Sequence, residues 1–97
     1  MSTKVFIQCT ILKTNEFEKL TTFLADNLPN VRSFAGCVSV IVNFSPDKQE
    51  MLIEEEWHDS EAHQKYIQFI SDNRVFEKFA SFFEGEPKIS YFEESSL

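Results

Sequence analysis

The chain has few of the residues that break or cross-link a fold. Its 97 residues include 2 Gly, 3 Pro and 2 Cys. So little Gly and Pro excludes a collagen-like or loop-rich chain. Cys9 and Cys37 cannot form a disulfide scaffold. Both sit in apolar segments, which predicts buried, reduced thiols and a cytoplasmic protein. Basic charge is scarce, with 9 Lys and Arg against 16 Asp and Glu and a net charge of −7. Phosphate attraction dominates nucleic-acid affinity, so nucleic acid is not an expected partner. Apolar runs such as Val40 to Val42 fall far short of the ~20 residues that cross a bilayer, so no membrane partner is expected either. Met1-Ser2-Thr3-Lys4 leads into an alternating stretch without the layout of a signal peptide.

What the chain does have is phenylalanine. Hydrophobic residues make up 42% and 11 residues are Phe, so the rings need an interior, a cavity or a partner to cover them. The length suits one domain over residues 1–97, burying roughly 60–70% of its unfolded surface.

Periodicity predicts the elements. Val5 to Leu12 alternates as a first strand, with Val5, Ile7, Cys9 and Ile11 on one face. Thr14 or Asn15 caps a helix whose stripe is Phe17, Leu20, Leu24, Leu28 and Val31. Pro29 threatens its last turn, so the helix is expected to end near Leu28. Gly36 is free to take positive φ at the stop. Cys37 to Phe44 is a second strand, with Val38, Val40, Val42 and Phe44 on one face. Ser45-Pro46-Asp47-Lys48 is turn chemistry, and Met51 to His58 completes a hairpin. Asp59 or Ser60 caps a second helix with Ala62, Tyr66, Phe69 and Ile70 as its stripe. Helix is expected to continue from Val75 to Phe83, ended by Gly85 and Pro87. Lys88 to Phe92 is the last strand, followed by a polar tail.

The order β-α-β-β-α-β is the α+β, ferredoxin-like split βαβ layout with an antiparallel sheet and helices on one face. Both faces of the first two strands are apolar: Phe6 and Leu12 oppose Ile7 and Ile11, and Cys37 and Ile41 oppose Val40 and Val42. One layer of helices cannot cover both faces, so a cavity or a second subunit lies there, and a homodimer meeting sheet to sheet is the cheapest solution. Glu54, Glu55 and Glu56 are not a metal site with His58 and His63. Consecutive strand residues alternate faces, and no second His stands at helical i,i+4 spacing. A solvated strand edge or an intersubunit salt bridge is the expected reading.

Three pieces in order resemble the antibiotic biosynthesis monooxygenase family, dimeric α/β barrel proteins that include small quinol monooxygenases. Ser33-Phe34-Ala35-Gly36-Cys37 resembles the family's lead-in to strand two, with Ala35 where Pro is usual. Glu54-Glu55-Glu56-Trp57 resembles its strand-three x-x-Glu-x-Trp ending. Asp59-Ser60-Glu61-Ala62-His63 resembles its helix start, with the His a residue or so early. Phe76 to Phe83 fits the family's second-helix extension.

The resemblance implies a homodimer with a pocket in each subunit between sheet and helices. It also implies oxidation of a small phenol or quinol by O2 with no cofactor. The protein then binds an aromatic ring, removes a proton and stabilises negative charge. His63 is the candidate base, because its ordinary pKa lies near neutrality. Trp57 is expected to line the pocket and donate its N–H, and Tyr66 to donate a phenolic hydrogen bond. Gln8 and Asn43 are amides inside apolar strands that could hold substrate or oxygen, and Phe79 belongs to the substrate-binding set. The haem-degrading branch requires an axial His, which Val75 to Phe83 lacks. The branch acting on phosphorylated substrates needs basic residues, and only Lys65 and Arg74 lie near the second helix. A non-catalytic ligand-binding or stress-response dimer, and an isomerase or lyase of small carbonyl compounds, are the alternative functions. Convergence of His63 and Trp57 with Gln8, Asn43 or Tyr66 on one cavity favours catalysis.

Overall fold

A computed structural model describes residues 2–97. Its elements are β1 (Thr3–Ile11), a 3-10 turn (Thr14–Glu16), α1 (Phe17–Arg32), β2 (Cys37–Phe44), β3 (Glu50–Trp57), α2 (Ser60–Asp72), α3 (Val75–Ala80) and β4 (Phe83–Glu93). The four strands form one antiparallel sheet in the order β2-β3-β1-β4. This is the α+β, ferredoxin-like arrangement that the order of elements predicts. Cys9 and Cys37 are both free, on strands that are not neighbours. Among the described residues no helix is long and apolar enough to cross a membrane.

Alternation along β1 decides the core. Val5, Ile7, Cys9 and Ile11 are buried, as are Met51, Ile53 and Trp57 on β3. Leu20, Leu24 and Val31 on α1, and Tyr66 and Ile70 on α2, pack against them. Burying each large apolar side chain contributes ~1.5–3 kcal/mol, so this layer holds helices and sheet together.

Several boundaries differ from the expected ones. Neither Thr14 nor Asn15 caps α1, which instead grows out of the 3-10 turn without a side-chain cap. The helix also runs through Pro29 to Arg32. Buried Val31 holds the last turn to the core, Ser33 N–H donates to the Pro29 carbonyl, and Arg32 Nη2 donates to the Val40 carbonyl at 2.9 Å. Tertiary contacts thus outweigh the one amide that proline lacks.

The face assignment along β2 is corrected by a bulge. Cys37 lies opposite Trp57 but Ser39 lies opposite Glu56, so Val38 is the extra residue and is half exposed. An extra residue flips the alternation. Cys37 therefore shares the inner face with Val40, Val42 and Phe44, and Val38 does not.

The expected helix from Val75 to Phe83 stops at Ala80. Phe83 begins β4, paired opposite Ile11, although Phe76, Phe79 and Phe83 keep helical spacing. Gly85 and Pro87 lie inside the strand. Gly85 has φ +71, and the pairing with β1 shifts register between Gln8 and Thr10. A bulge of this kind is where a strand tolerates both residue types.

The outer face of the sheet lacks a helical layer. Ile41 and Phe92 are more than half exposed there, and Phe6 meets Phe92 edge to face at 5.4 Å. Leu12 is exposed beyond the end of β1 rather than on this face.

Candidate active site

The site begins at the start of α2. Asp59 takes the extended conformation of an N-cap, and its carboxylate accepts the Ala62 N–H at 2.8 Å. That sets the first turn so that His63 points inward, where it is fully buried. Gly36 allows the turn to dock. Its φ is +93, and a Cβ there would meet the Ala62 Cβ at 2.6 Å. The Gly36 carbonyl also accepts the His58 N–H at 2.8 Å. The glycine before β2 and the alanine before His63 are therefore two halves of one contact.

β3 supplies the acid. Its inward series is Met51, Ile53, Glu55 and Trp57. Glu55 is 6% exposed, between Val5 of β1 and Val40 of β2. Burial among hydrocarbon pushes its carboxyl up to about 7, against a smaller downward pull from the Trp57 bond. The Trp57 indole N–H donates to Glu55 Oε1 at 2.8 Å.

His63 Nε2 lies 3.5 Å from the same carboxylate oxygen. It is the one buried side-chain nitrogen or oxygen without a hydrogen-bond partner among the described residues. On the other side of the ring, Nδ1 is 2.8 Å from the Tyr91 hydroxyl on β4. Burial lowers the His63 pKa to about 4, so the imidazole is neutral at pH 7. Burial, and then the Glu55 charge, raise the Tyr91 pKa. Attraction between carboxylate and imidazolium opposes both of the burial shifts on Glu55 and His63. Up to about pH 7 the proton of the pair rests on Glu55, opposite a neutral His63.

Glu55 and His63 face an apolar cavity between the sheet and the helices, with a volume of about 60 Å³. Ile7, Ile53, Leu24, Ile70, Phe76 and Phe79 supply hydrocarbon walls, and Tyr66 and Asn27 add polar groups. Sites for drug-sized ligands occupy ~300–1,000 Å³, so this chamber suits a small guest. An apolar chamber with a proton-exchanging pair on its wall can accept a proton from a bound acid.

The residues singled out from sequence divide three ways. His63, Tyr66 and Phe79 line the cavity. Tyr66 is buried beside Phe34 and Trp57, and burial raises its phenol pKa to about 12. Trp57 is fully buried behind Glu55 and does not line the cavity, so its N–H is spent on the carboxylate rather than a ligand. Gln8 and Asn43 are on the opposite face of the sheet, because alternation turns them away from His63. Gln8 lies between Leu52 and Lys88, and Asn43 Nδ2 donates to the Leu52 carbonyl and to Glu54 Oε2.

Glu55 and Tyr91 were not among the residues expected at the site. The expectation that Glu54 to Glu56 form a solvated strand edge or an intersubunit salt bridge is corrected for Glu55. Glu54 and Glu56 do face outward, and Glu56 pairs with Lys4 at 2.7 Å, but Glu55 is core. Its signal was the apolar alternation of Met51, Ile53 and Trp57 around it. Nothing local marks Tyr91, whose partner is 28 residues away in sequence.

A four-stranded antiparallel sheet with helices over one face defines a ferredoxin-like α+β fold. No protein-family model and no curated protein matches the chain. Solved structures do. A conserved protein from Methanosarcina mazei superposes with a TM-score of 0.85 at 14% identity, over 98% of this chain and 94% of that one. A protein from Bordetella bronchiseptica named as an antibiotic biosynthesis monooxygenase gives 0.81 at 14% identity, over 97% of each chain. A Streptomyces coelicolor monooxygenase from the gene ActVA-Orf6, solved with nanaomycin D, gives 0.76 at 17% identity, over 99% of this chain and 89% of that one. The chain therefore shares its fold with proteins named as antibiotic biosynthesis monooxygenases.

Proposed function

We propose that this chain is a member of that family and a cofactor-independent monooxygenase acting on a small, single-ring phenol or quinol. The observation that carries the reading is the Glu55–His63 pair, one proton acceptor split over two buried groups on the wall of an apolar cavity. A base that titrates near the working pH transfers protons most effectively.

For a phenol with a free para C–H, the pair takes the hydroxyl proton. The phenolate supplies electrons to O2, and a C–O bond forms at the para carbon. The pair returns its proton to the distal oxygen of the resulting peroxide. Loss of the para C–H proton then breaks the O–O bond, leaving a quinone carbonyl and one water. The substrate is oxidised by four electrons and O2 is reduced by four, so no further reductant is required. The Asn27 amide and the Tyr66 hydroxyl orient the ring, and the hydrocarbon walls exclude bulk water.

Oxygen uptake with a metal-free panel of single-ring phenols and hydroquinones tests the reading. Uptake matched by quinone formation is expected, with a loss of about 100-fold or more in Glu55→Gln and His63→Ala. No uptake with any member of the panel overturns it. Proton exchange on small carbonyl compounds without oxygen uptake would place the same pair in an isomerase or lyase instead.

The working unit in this proposal is a homodimer in the cytoplasm. Exposed Ile41 and Phe92, with Phe6, form the apolar part of an outer sheet face that a second copy would cover. Light scattering should return twice the chain mass, and Ile41→Asp should return the monomer. A monomeric wild type removes the dimer from the proposal.

A further inference from the structure

A second recess adjoins the catalytic cavity. It lies between the end of α1, the segment after it and α2, and has a volume of about 460 Å³. Asn27, Tyr66, Ile70 and Val75 line both chambers, which therefore adjoin. The recess is on the helical side of the sheet, away from the outer face proposed for dimerisation.

The two chambers differ in chemistry. The inner one is hydrocarbon around the Glu55–His63 pair. The outer one carries three amides, Asn27, Asn30 and Asn73, beside the rings of Phe34 and Phe69, and among the described residues no charged side chain lines it. The amides are only partly used by the fold. Asn27 Nδ2 donates to the Phe23 carbonyl at 2.8 Å, so its Oδ1 is the atom left to accept. Asn73 Oδ1 accepts the Val75 N–H at 3.0 Å, so its NH2 is the group left to donate. Phe69 is 53% exposed and stacks obliquely on Phe34 at 5.6 Å, which presents a flat apolar surface next to those amides.

We propose that this recess is a second substrate subsite and that the substrate has two parts: a phenolic ring for the inner cavity, and an uncharged hydroxylated or carbonyl-bearing extension held by Asn27, Asn30 and Asn73 over Phe69. The assignment of the ring rests on the monooxygenase reading above; the assignment of the extension rests on the recess. A phosphate or carboxylate on the extension would find no cation on the described lining to pair with, so charged extensions gain nothing there. The inner chamber, at about 60 Å³, is smaller than the ~150 Å³ cavity that holds a benzene ring, so the ring enters as the walls yield, and the outer chamber, within the volume range of ordinary small-molecule sites, supplies the rest of the recognition.

Anaerobic calorimetry separates binding from turnover. Three probes share one phenolic ring: meta-cresol, the neutral glyceryl monoether of resorcinol, and the phosphate ester of its hydroxyethyl monoether. The glyceryl ether is expected to bind about tenfold more tightly than meta-cresol, and the phosphate ester no more tightly than meta-cresol. Phe69→Ala and Asn30→Leu, both at exposed positions, should each erase most of that gain and leave the Kd for meta-cresol within about twofold. Equal binding of meta-cresol and glyceryl ether overturns the subsite, as does a gain that survives both substitutions or no binding of any probe. A gain without oxygen uptake in air keeps the subsite and removes the monooxygenase. Uptake without a gain does the reverse.

Discussion

The Trp57 indole N–H donates to Glu55 Oε1 at 2.8 Å, across two residues on one face of β3. Trp57 thus holds the carboxylate that faces the cavity without touching the cavity itself. Trp57→Phe removes the donor and leaves space behind Glu55. The protein should lose about 2–4 kcal/mol of stability in urea denaturation, with a larger loss at pH 8, where the unpaired carboxylate is ionised, than at pH 5. Without the bond, the Glu55 pKa rises further above about 7. The acid limb of kcat/KM should move to higher pH, and an unmoved limb would detach Trp57 from the acid–base chemistry.

Glu55 and His63 push pH-dependent stability in opposite directions. Folded Glu55 keeps its proton up to about pH 7, against 4.5 for the ordinary group. The folded state binds more protons across that window, so this contribution is complete below it and lost as pH rises through 7. Folded His63 protonates only near pH 4, against an ordinary 6.5. The unfolded state binds more protons there, so stability rises with pH from about 4 to 6.5. Each slope amounts to roughly 3 kcal/mol, and in the wild type the two largely cancel. Glu55→Gln should therefore gain stability from pH 4 to 6.5, and His63→Asn should lose it from pH 4.5 to 7. Denaturation series that run parallel in all three proteins would contradict the opposed pair.

Tyr91→Phe preserves the ring and removes the oxygen 2.8 Å from His63 Nδ1. Tyr91 is 41% exposed, so stability should change by less than about 1 kcal/mol. The imidazole then loses its one hydrogen bond, and its tautomer is no longer set by Tyr91. A fall in kcat of about 10–100-fold with little change in KM is expected, with altered 15N shifts of the His63 ring. Unchanged ring shifts would show that Tyr91 does not position the imidazole.

Gly36 and Gly85 both take positive φ, but only Gly36 is crowded. Gly85→Ala should cost about 1 kcal/mol, the backbone term alone. Gly36→Ala adds a 2.6 Å approach to the Ala62 Cβ and should cost about 2–4 kcal/mol. In the double variant Gly36→Ala, Ala62→Gly, the losses should fall short of the sum of the singles by more than about 1 kcal/mol. Additive losses would mean that the two residues do not press on each other.

Much of the sheet was legible because side chains alternate with a period of two wherever one face is buried. The bounds of β2 and an Asp59 or Ser60 cap for α2 followed from local pattern, whereas His63 stood outside the expected stripe of Ala62, Tyr66, Phe69 and Ile70 and its burial did not follow from it. Glu55 was legible too, since it stands between Ile53 and Trp57 on the inward series, but three successive glutamates read as a solvated edge. The helix boundary at Ala80 was not legible. Phe76, Phe79 and Phe83 satisfy helical spacing, and only the pairing of Phe83 with Ile11 shows that a strand has begun.

By itself, the sequence determined the order of the strands, the inner face of β1, the start of α2 and the turn between β2 and β3, because those depend on neighbours a few residues away. Tertiary structure alone decided which groups share the cavity. Packing of α2 over the sheet placed His63 above Glu55, and β4 carried Tyr91 to the other side of the imidazole. The chemical properties of the site belong to that second level. A glutamate that titrates near 7 and a histidine that stays neutral are products of burial among strands distant in sequence, where water is no longer available to solvate a charge.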